Sequence, residues 1–367
     1  MNRLNKKNQI LVNIIILIHF IYPNINSDNS SWECYSKHNS NYSNKNIQTQ
    51  NTRELDKVVI RAKIWEIHRL DGSYEMTENA IENGFENLIN VFKELEILIE
   101  LIDIETIYSD SLYYFSYYNR PFELMQSHTV DTLVNFFYLP NIDFTEGPLN
   151  GYGQALNTPG IELFVAGTEC MYIGSELVCY DLVNTFVPIH ELGHCLGLLH
   201  PHNITYGVEN VVRLDNISDS CEVNCEYSGD LLCDTEASNN IKNDVLYDGY
   251  NCSYELVEMD TCGYVYEPQI DNYMSYTHFG CANVFTPEQV DKMFDTIENN
   301  IVVSQTVIDI GDMNDDSDIN IQDAMIIINT ILSDEDISDI YFWLGDINND
   351  AIIDVLDILL LINIILE

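Results

Sequence analysis

The chain is poor in positive charge. It has 15 Lys and Arg against 59 Asp and Glu, a formal net charge of −44 over 367 residues. A surface this acidic repels phosphate backbones, which excludes nucleic acid as a partner class. It suits solubility in salt and hard cations such as calcium instead. Residues 306–367 lack Lys and Arg altogether, and this change of texture sets a domain boundary near 303–308. No CxxC pair occurs, which argues against a cysteine-built zinc cluster; Cys221 and Cys225 are separated by four, and that spacing is not repeated. Long apolar runs are missing too. Ile10 to Tyr22 falls short of the roughly twenty residues of a membrane helix, as do the apolar stretches near the C-terminus, so no stable span is expected in the mature chain.

What is present reads as an exported chain. Arg3, Lys6 and Lys7 precede the apolar run Ile10–Tyr22, and a polar stretch follows, the pattern of a signal peptide over 1–27. The chain is therefore expected outside the cell. Its 10 cysteines, all but Cys34 between 170 and 281, then favour disulfides over thiols. Residues 28–56 are Asn- and Ser-rich with few apolar residues, a tail or pro-segment. From Val58 the texture changes. Val58 to Ile67 alternates apolar and polar, predicting a half-buried strand. Ile81, Phe85, Leu88, Ile89, Phe92 and Leu95 recur at helical spacing. Ile97–Ile107, Leu133–Leu139 and Gly160–Val165 predict further strands. A helix follows within Leu182–His200, with Pro188 tolerated in its first turn. Residues 201–270 are loop-like, and a helix returns at Thr286–Asn299. Strands and helices in this order indicate an α/β layer packing over 57–305.

Residues 190–200 read HELGHCLGLLH. His190 and His194, four apart, share one face of a helix, so two imidazoles can grip one metal ion from the same side. Glu191 stands beside the first histidine, within reach of a metal-bound water. Gly197 lets the helix end and the chain bend, bringing His200 round as third ligand. Three nitrogens leave a fourth position open, as catalytic zinc requires. His202, two residues on, is a competing ligand, though the spacing favours His200.

The longer pattern HExxHxxGxxH resembles that of the metzincin metallopeptidases. Asn272-Tyr273-Met274-Ser275-Tyr276 resembles their Met-turn, which implies Met274 as the floor beneath the zinc and Tyr276 as a hydrogen-bond donor to the oxyanion. Gly229-Asp230-Leu231-Leu232-Cys233-Asp234-Thr235 resembles the GDxxxDTP stretch of the pappalysin (ulilysin-like) family, with Glu236 where that family has Pro. Phe285-Thr286-Pro287-Glu288-Gln289 with Met293 resembles its FTxxQxxxM helix start. The likeness spans roughly 58–295. It implies an α/β (α+β) catalytic domain with a mixed twisted sheet and an active-site helix. It also implies disulfides around the Met-turn: Cys252–Cys281, Cys262 with either Cys221 or Cys225, Cys195–Cys233 and Cys170–Cys179. An upstream cysteine can hold members of the family latent, and Cys34 is the candidate here, the alternative being a disulfide.

Gly311-Asp312-Met313-Asn314-Asp315-Asp316 recurs as Gly345-Asp346-Ile347-Asn348-Asn349-Asp350. Each unit is an acidic loop followed by an apolar helix, with oxygen donors at positions 1, 3, 5 and 12 as in half an EF-hand. Asp312, Asn314, Asp316 and Asp323 would hold one calcium, and Asp346, Asn348, Asp350 and Asp357 a second. The pair resembles a dockerin type I module, a small all-α calcium-binding domain over 306–367 whose family docks onto cohesin partners. Ser317 and Ala351 stand where Gly is usual, predicting strained backbone at both. Together these features predict a secreted zinc endopeptidase acting on protein or peptide substrates. The alternatives are a calcium-dependent binding or assembly protein with an inert peptidase domain, against which the intact Glu191 argues, and a zinc hydrolase acting on a non-peptide bond, which the resemblance disfavours.

Overall fold

A computed structural model describes residues 32–34, 57–74, 76–77, 79–113, 122–139, 151–173, 176–213, 221–242, 244–333 and 337–366. The expected signal segment, and all of the tail but Trp32–Cys34, lie outside the described residues.

The strands of the main sheet are β1 (Trp32–Cys34), β2 (Val58–His68), β3 (Ile97–Tyr108), β4 (Val134–Leu139), β5 (Gly151–Ala155), β6 (Glu162–Ile173) and β7 (Glu176–Asp181). A separate hairpin, β8 (Val245–Tyr247) and β9 (Cys252–Tyr254), and a late strand, β10 (Val307–Ile308), follow. The main order is β1-β5-β6-β4-β2-β10, with β3 also on β2 and β7 also on β6. β2, β3, β4 and β6 are parallel. β5 and β7 run antiparallel to β6, and β10 antiparallel to β2. The sheet is therefore mixed, as expected.

β2 departs from the half-buried strand its alternation predicted. It is the hub of the sheet, and both faces are covered, as in parallel sheets generally. On one face Val58, Ile60, Ala62 and Ile64 pack on α1 (Ala80–Lys93), which buries Ile81, Phe85, Leu88 and Phe92 on the stripe read from sequence. On the other, Trp65 and Ile67 join Phe137 and Phe164 in a second cluster that takes in the short helices α2 (Asp110–Tyr113) and α3 (Phe122–Gln126). Within this cluster Trp65 Nε1 donates to Asn135 Oδ1 at 3.0 Å.

The motif-bearing helix is α4 (Val187–Cys195), with Pro188 in its first turn. α5 (Pro287–Asn299) starts at Thr286, whose hydroxyl and Gln289 form a reciprocal capping box. The C-terminal segment contributes α6 (Ile321–Leu332), α7 (Asp339–Gly345) and α8 (Val355–Leu366). These helices share a core with the sheet: Val59 and Leu98 pack with Ile308, Met313, Ala324, Ile327, Leu344 and Leu361. Cations from β2, the residue before it and α1 meet the acidic C-terminal segment. Lys57 Nζ donates to Asp346 O at 2.6 Å, Arg61 pairs with Asp315 at 3.1 Å, and Lys93 pairs with Asp339. Among the described residues no helix is long and apolar enough to cross a membrane.

Three disulfides are described: Cys221–Cys262, Cys225–Cys233 and Cys252–Cys281. They settle Cys221 as the partner of Cys262 and correct the pairing of Cys233. Cys195 is a buried free thiol, because it sits on the core side of α4 while Cys233 lies in a surface loop beside Cys225. Cys170 and Cys179 stand opposite each other in the β6–β7 register.

Candidate metal centre and active site

α4 and the turn after it assemble three imidazoles. The helix is stopped by Gly197 at φ +92, and Leu198 N then donates back to Gly193 O at 2.9 Å. This reversal turns Leu198 O towards His194, whose Nδ1 donates to it at 2.7 Å. His190 Nδ1 donates to Tyr273 O at 2.7 Å. Both rings therefore present a bare Nε2 inward. The Nε2 atoms of His190, His194 and His200 lie 2.9 to 3.1 Å from one another. Nitrogens gripping zinc at ~2.0–2.1 Å in a tetrahedron would stand roughly 3.3 Å apart. Burial, then the neighbouring imidazoles, hold His190 and His200 well below the ordinary histidine range. Neutral nitrogens, buried and aimed at one point, repel each other unless a cation sits between them; the donor set fits zinc. This is the group of metal-ligating side chains found among the described residues. His202 is not in it and instead stacks on His200, ring centroids 4.9 Å apart.

Glu191 is fully buried on the same helix, its Oε2 accepting from Ala155 N on β5 at 2.8 Å. β5 can come this close because residue 153 is glycine. A Cβ there would stand 2.5 Å from Glu191 Oε1 and 2.7 Å from Val187 Cγ1. β1 runs parallel along β5, with Cys34 opposite Gly153 in register. Met274 is buried against α4 on the side away from β5: a Cβ at Gly193 would meet Met274 Sδ at 2.6 Å. The glycine between the histidines thus lets the Met-turn approach. Tyr276 stands over the centre, its ring 4.5 Å from that of His200 and 6.2 Å from that of His190.

The turn itself is held by two motif residues whose pairing sequence reasoning missed. Asn272 and Gln289, both fully buried, exchange amide hydrogen bonds: Asn272 Nδ2 to Gln289 Oε1 at 2.8 Å, and Gln289 Nε2 to Asn272 Oδ1 at 3.2 Å. Asn272 Oδ1 also accepts from Met274 N at 2.8 Å, and Gln289 Oε1 from Thr286 N at 2.9 Å. The capping box was the available signal, since its Gln is the residue that reaches the turn. Asp234 extends the same knot, taking Thr286 Oγ1 and Glu288 N, both at 2.7 Å. The departure at Glu236 leaves this contact in place.

The two C-terminal loops repeat in detail. Asp312, Asp323, Asp346 and Asp357 are buried, Asn314, Asp316 and Asp350 are exposed, and Asn348 is half-buried. Asp323 Oδ1 accepts from Met313 N at 2.8 Å, and Asp357 Oδ1 from Ile347 N at 2.9 Å. Ser317 N donates to Asp312 Oδ2 at 2.9 Å, and Ala351 N to Asp346 Oδ2 at 3.0 Å. Ser317 and Ala351 lie at φ +66 and +65, the strained positions expected where glycine is absent. Each loop gathers its carboxylates by hydrogen bonds to its own backbone, a donor set that suits calcium.

A three-histidine centre built from a helix and the turn after it, floored by a methionine turn, is a metallopeptidase-like arrangement. Comparison with known proteins supports that class. Pappalysin-1 of Homo sapiens is 33% identical over 115 residues, 30% of this chain and 6% of that protein. Pappalysin-1 of Mus musculus is 34% identical over 115 residues, with the same coverage. The chain thus matches only a small part of the length of these relatives. Residues 310–366 match the family described as Dockerin type I domain. Mature mirolysin of Tannerella forsythia, solved in complex with a cleaved peptide, superposes with a TM-score of 0.43 at 17% identity, over 69% of this chain and 96% of that one. The chain is thus similar to pappalysin-1 over 115 residues and matches the dockerin type I family over 310–366, and zinc and calcium are the cofactors that the three-histidine cluster and the dockerin match imply.

Proposed function

We propose that this chain is a secreted zinc metalloendopeptidase, with residues 57–305 as catalytic domain and 306–367 as a calcium-binding module. The observation that carries the reading is the convergence of the His190, His194 and His200 Nε2 atoms, with the Glu191 carboxylate on the same helix. Zinc held there polarises a carbonyl and lowers the pKa of water towards ~7. The chain supplies the rest. Glu191, oriented by Ala155 N–H, takes the proton of the attacking water and returns it to the leaving amine. Tyr276 donates its hydroxyl hydrogen to the developing oxyanion. Tyr273 O and Leu198 O fix which nitrogen of His190 and His194 faces the ion. Met274 packs beneath and contributes shape, not charge.

The substrate is a protein or peptide, and β5 offers its backbone beside the centre for an extended chain to pair with. In the sequence's own order, Trp32–Cys34 takes that edge, which supports a latent precursor activated by removal of the tail. Asp312, Asn314, Asp316 and Asp323 hold one calcium, and Asp346, Asn348, Asp350 and Asp357 the other. The dockerin match supports a cohesin-like docking partner. Casein zymography with and without a zinc chelator tests the activity. The processed protein clears casein and stops when chelated. Persistent clearing under chelation, or no clearing by metal-loaded protein, counts against the reading.

A further inference from the structure

The two calcium loops carry the same ligand set. Asp312, Asn314, Asp316 and Asp323 in the first answer to Asp346, Asn348, Asp350 and Asp357 in the second, residue type for residue type. Their geometry matches too. Asp312 accepts from Asp316 N at 3.2 Å and from Ser317 N at 2.9 Å. Asp346 accepts from Asp350 N at 3.1 Å and from Ala351 N at 3.0 Å. Loops with equal ligands and equal backbone would bind calcium equally, so any difference comes from what surrounds them.

The surroundings are not equal. Lys57, the residue before β2, is buried against the second loop. Its Nζ donates to Asp346 O at 2.6 Å and stands 3.7 Å from Asp346 Oδ2. Asp357, which closes the same ligand set, lies within its electrostatic reach. Among the described residues no Lys or Arg makes such a contact with Asp312 or Asp323. Arg61 meets the first loop at Asp315, 3.1 Å away, and that side chain is not in the ligand set. The backbone holds Lys57 in place. Val58 N donates to Glu96 O at 3.1 Å, Val59 is paired with Ile308 of β10, and Val59 shares a core with Leu344 and Leu361. Only 8% of Lys57 is exposed, so water screens its charge poorly. Repulsion between an ammonium and a divalent ion that share one carboxylate is worth roughly tenfold in affinity, even where solvent screens it strongly. Asp318 in the first loop stands where the second has Ile352, and this further acid biases the pair in the same direction.

We propose that Lys57 is an internal counter-cation that makes the Asp346 loop the weaker calcium site and ties its filling to the start of β2. The proposal rests on the calcium reading of both loops. Without calcium, the ammonium offsets the charge of the second loop and braces the C-terminal segment against the sheet. Calcium entering that loop competes with the brace, so the first loop fills before the second.

The test is calorimetric titration of calcium into the full chain, stripped of calcium and reloaded with zinc. Wild type gives a tight and a weak step. Asp323→Asn removes the tight step and Asp357→Asn the weak one. Lys57→Met tightens the weak step by roughly tenfold and leaves the tight step unchanged. Lys57→Gln, which keeps a donor for Asp346 O without the charge, does the same if Lys57→Met folds poorly. Equal affinities in wild type, or loss of the tighter step in Asp357→Asn, overturns the proposal while leaving the calcium reading intact. So does a weak step that is unchanged or weakened in both Lys57 variants. No calcium uptake by either loop overturns both.

Discussion

Glu191 is the residue on which the proposed chemistry turns, and it is not a ligand in the donor set. Glu191→Gln keeps the hydrogen bond from Ala155 N available and removes the base. It is expected to lower kcat by about 10²–10⁴ while zinc content stays unchanged, as parallel casein assays and elemental analysis would register. A second residue-level expectation comes from two buried acids away from the centre. Burial, opposed in part by Arg213, raises Glu209 to about 8, and burial raises Asp230 to about 7. Their unfolded values are near 4.5 and 3.8. Both folded-state values are raised, so the unfolded chain ionises first as pH rises. The stability these groups contribute is present below about pH 4 and is lost progressively up to about pH 8. In metal-free protein the urea midpoint should fall across that window, and Glu209→Gln should flatten the slope. A midpoint that rises from pH 5 to 8, with a slope unaffected by the substitution, would contradict this account. The zinc residues were legible because their spacing is local: His190, Glu191 and His194 sit within one turn of a helix. The contact between Asn272 and Gln289 was not, because a buried amide pair across 17 residues leaves no periodic trace.

At the scale of elements, β3 and α5 followed their patterns closely, whereas β6 runs on to Ile173, well past the expected Gly160–Val165. Ile97–Tyr108 and Pro287–Asn299 lie within a residue or so of expectation. β5 escaped notice, since Gly151-Tyr-Gly-Gln-Ala has neither alternation nor β-branched residues. Its glycine at 153 exists for the close approach to Glu191, a tertiary reason that periodicity does not carry. The pairing of Cys233 was misread for a similar cause, because connectivity depends on which loops meet. The junction of the Met-turn with α5 makes an element-level prediction. Thr286→Ala removes the helix cap together with the contact to Asp234 and should cost about 0.5–2 kcal/mol in chemical denaturation. Asn272→Ala strips a buried amide of its partner and should cost about 1–3 kcal/mol. An effect within error for both would mean that the knot does not hold the turn.

Over the whole molecule, the shift in composition near 303–308 marks a change of texture more than a change of body. The segment after it puts β10 into the sheet through Val307 and Ile308, and builds its core on Val59 and Leu98. The cations Lys57, Arg61 and Lys93, scarce in this chain, are directed at the acidic C-terminal part. Removing calcium should therefore lower the thermal transition of the sheet together with that of the C-terminal helices. Calorimetry with and without a calcium chelator would reveal one shared shift. A separate early transition confined to residues 306–367 would show the two parts to be uncoupled.

Zinc stoichiometry of the purified chain and of its His194→Ala variant probes the central claim most directly. Elemental analysis should find about one zinc per chain in the wild type, bound by three neutral imidazoles, and a large loss in the variant, with far-ultraviolet circular dichroism showing that it still folds. Wild-type protein with no stoichiometric transition metal, or a folded variant that keeps its zinc, would contradict the account.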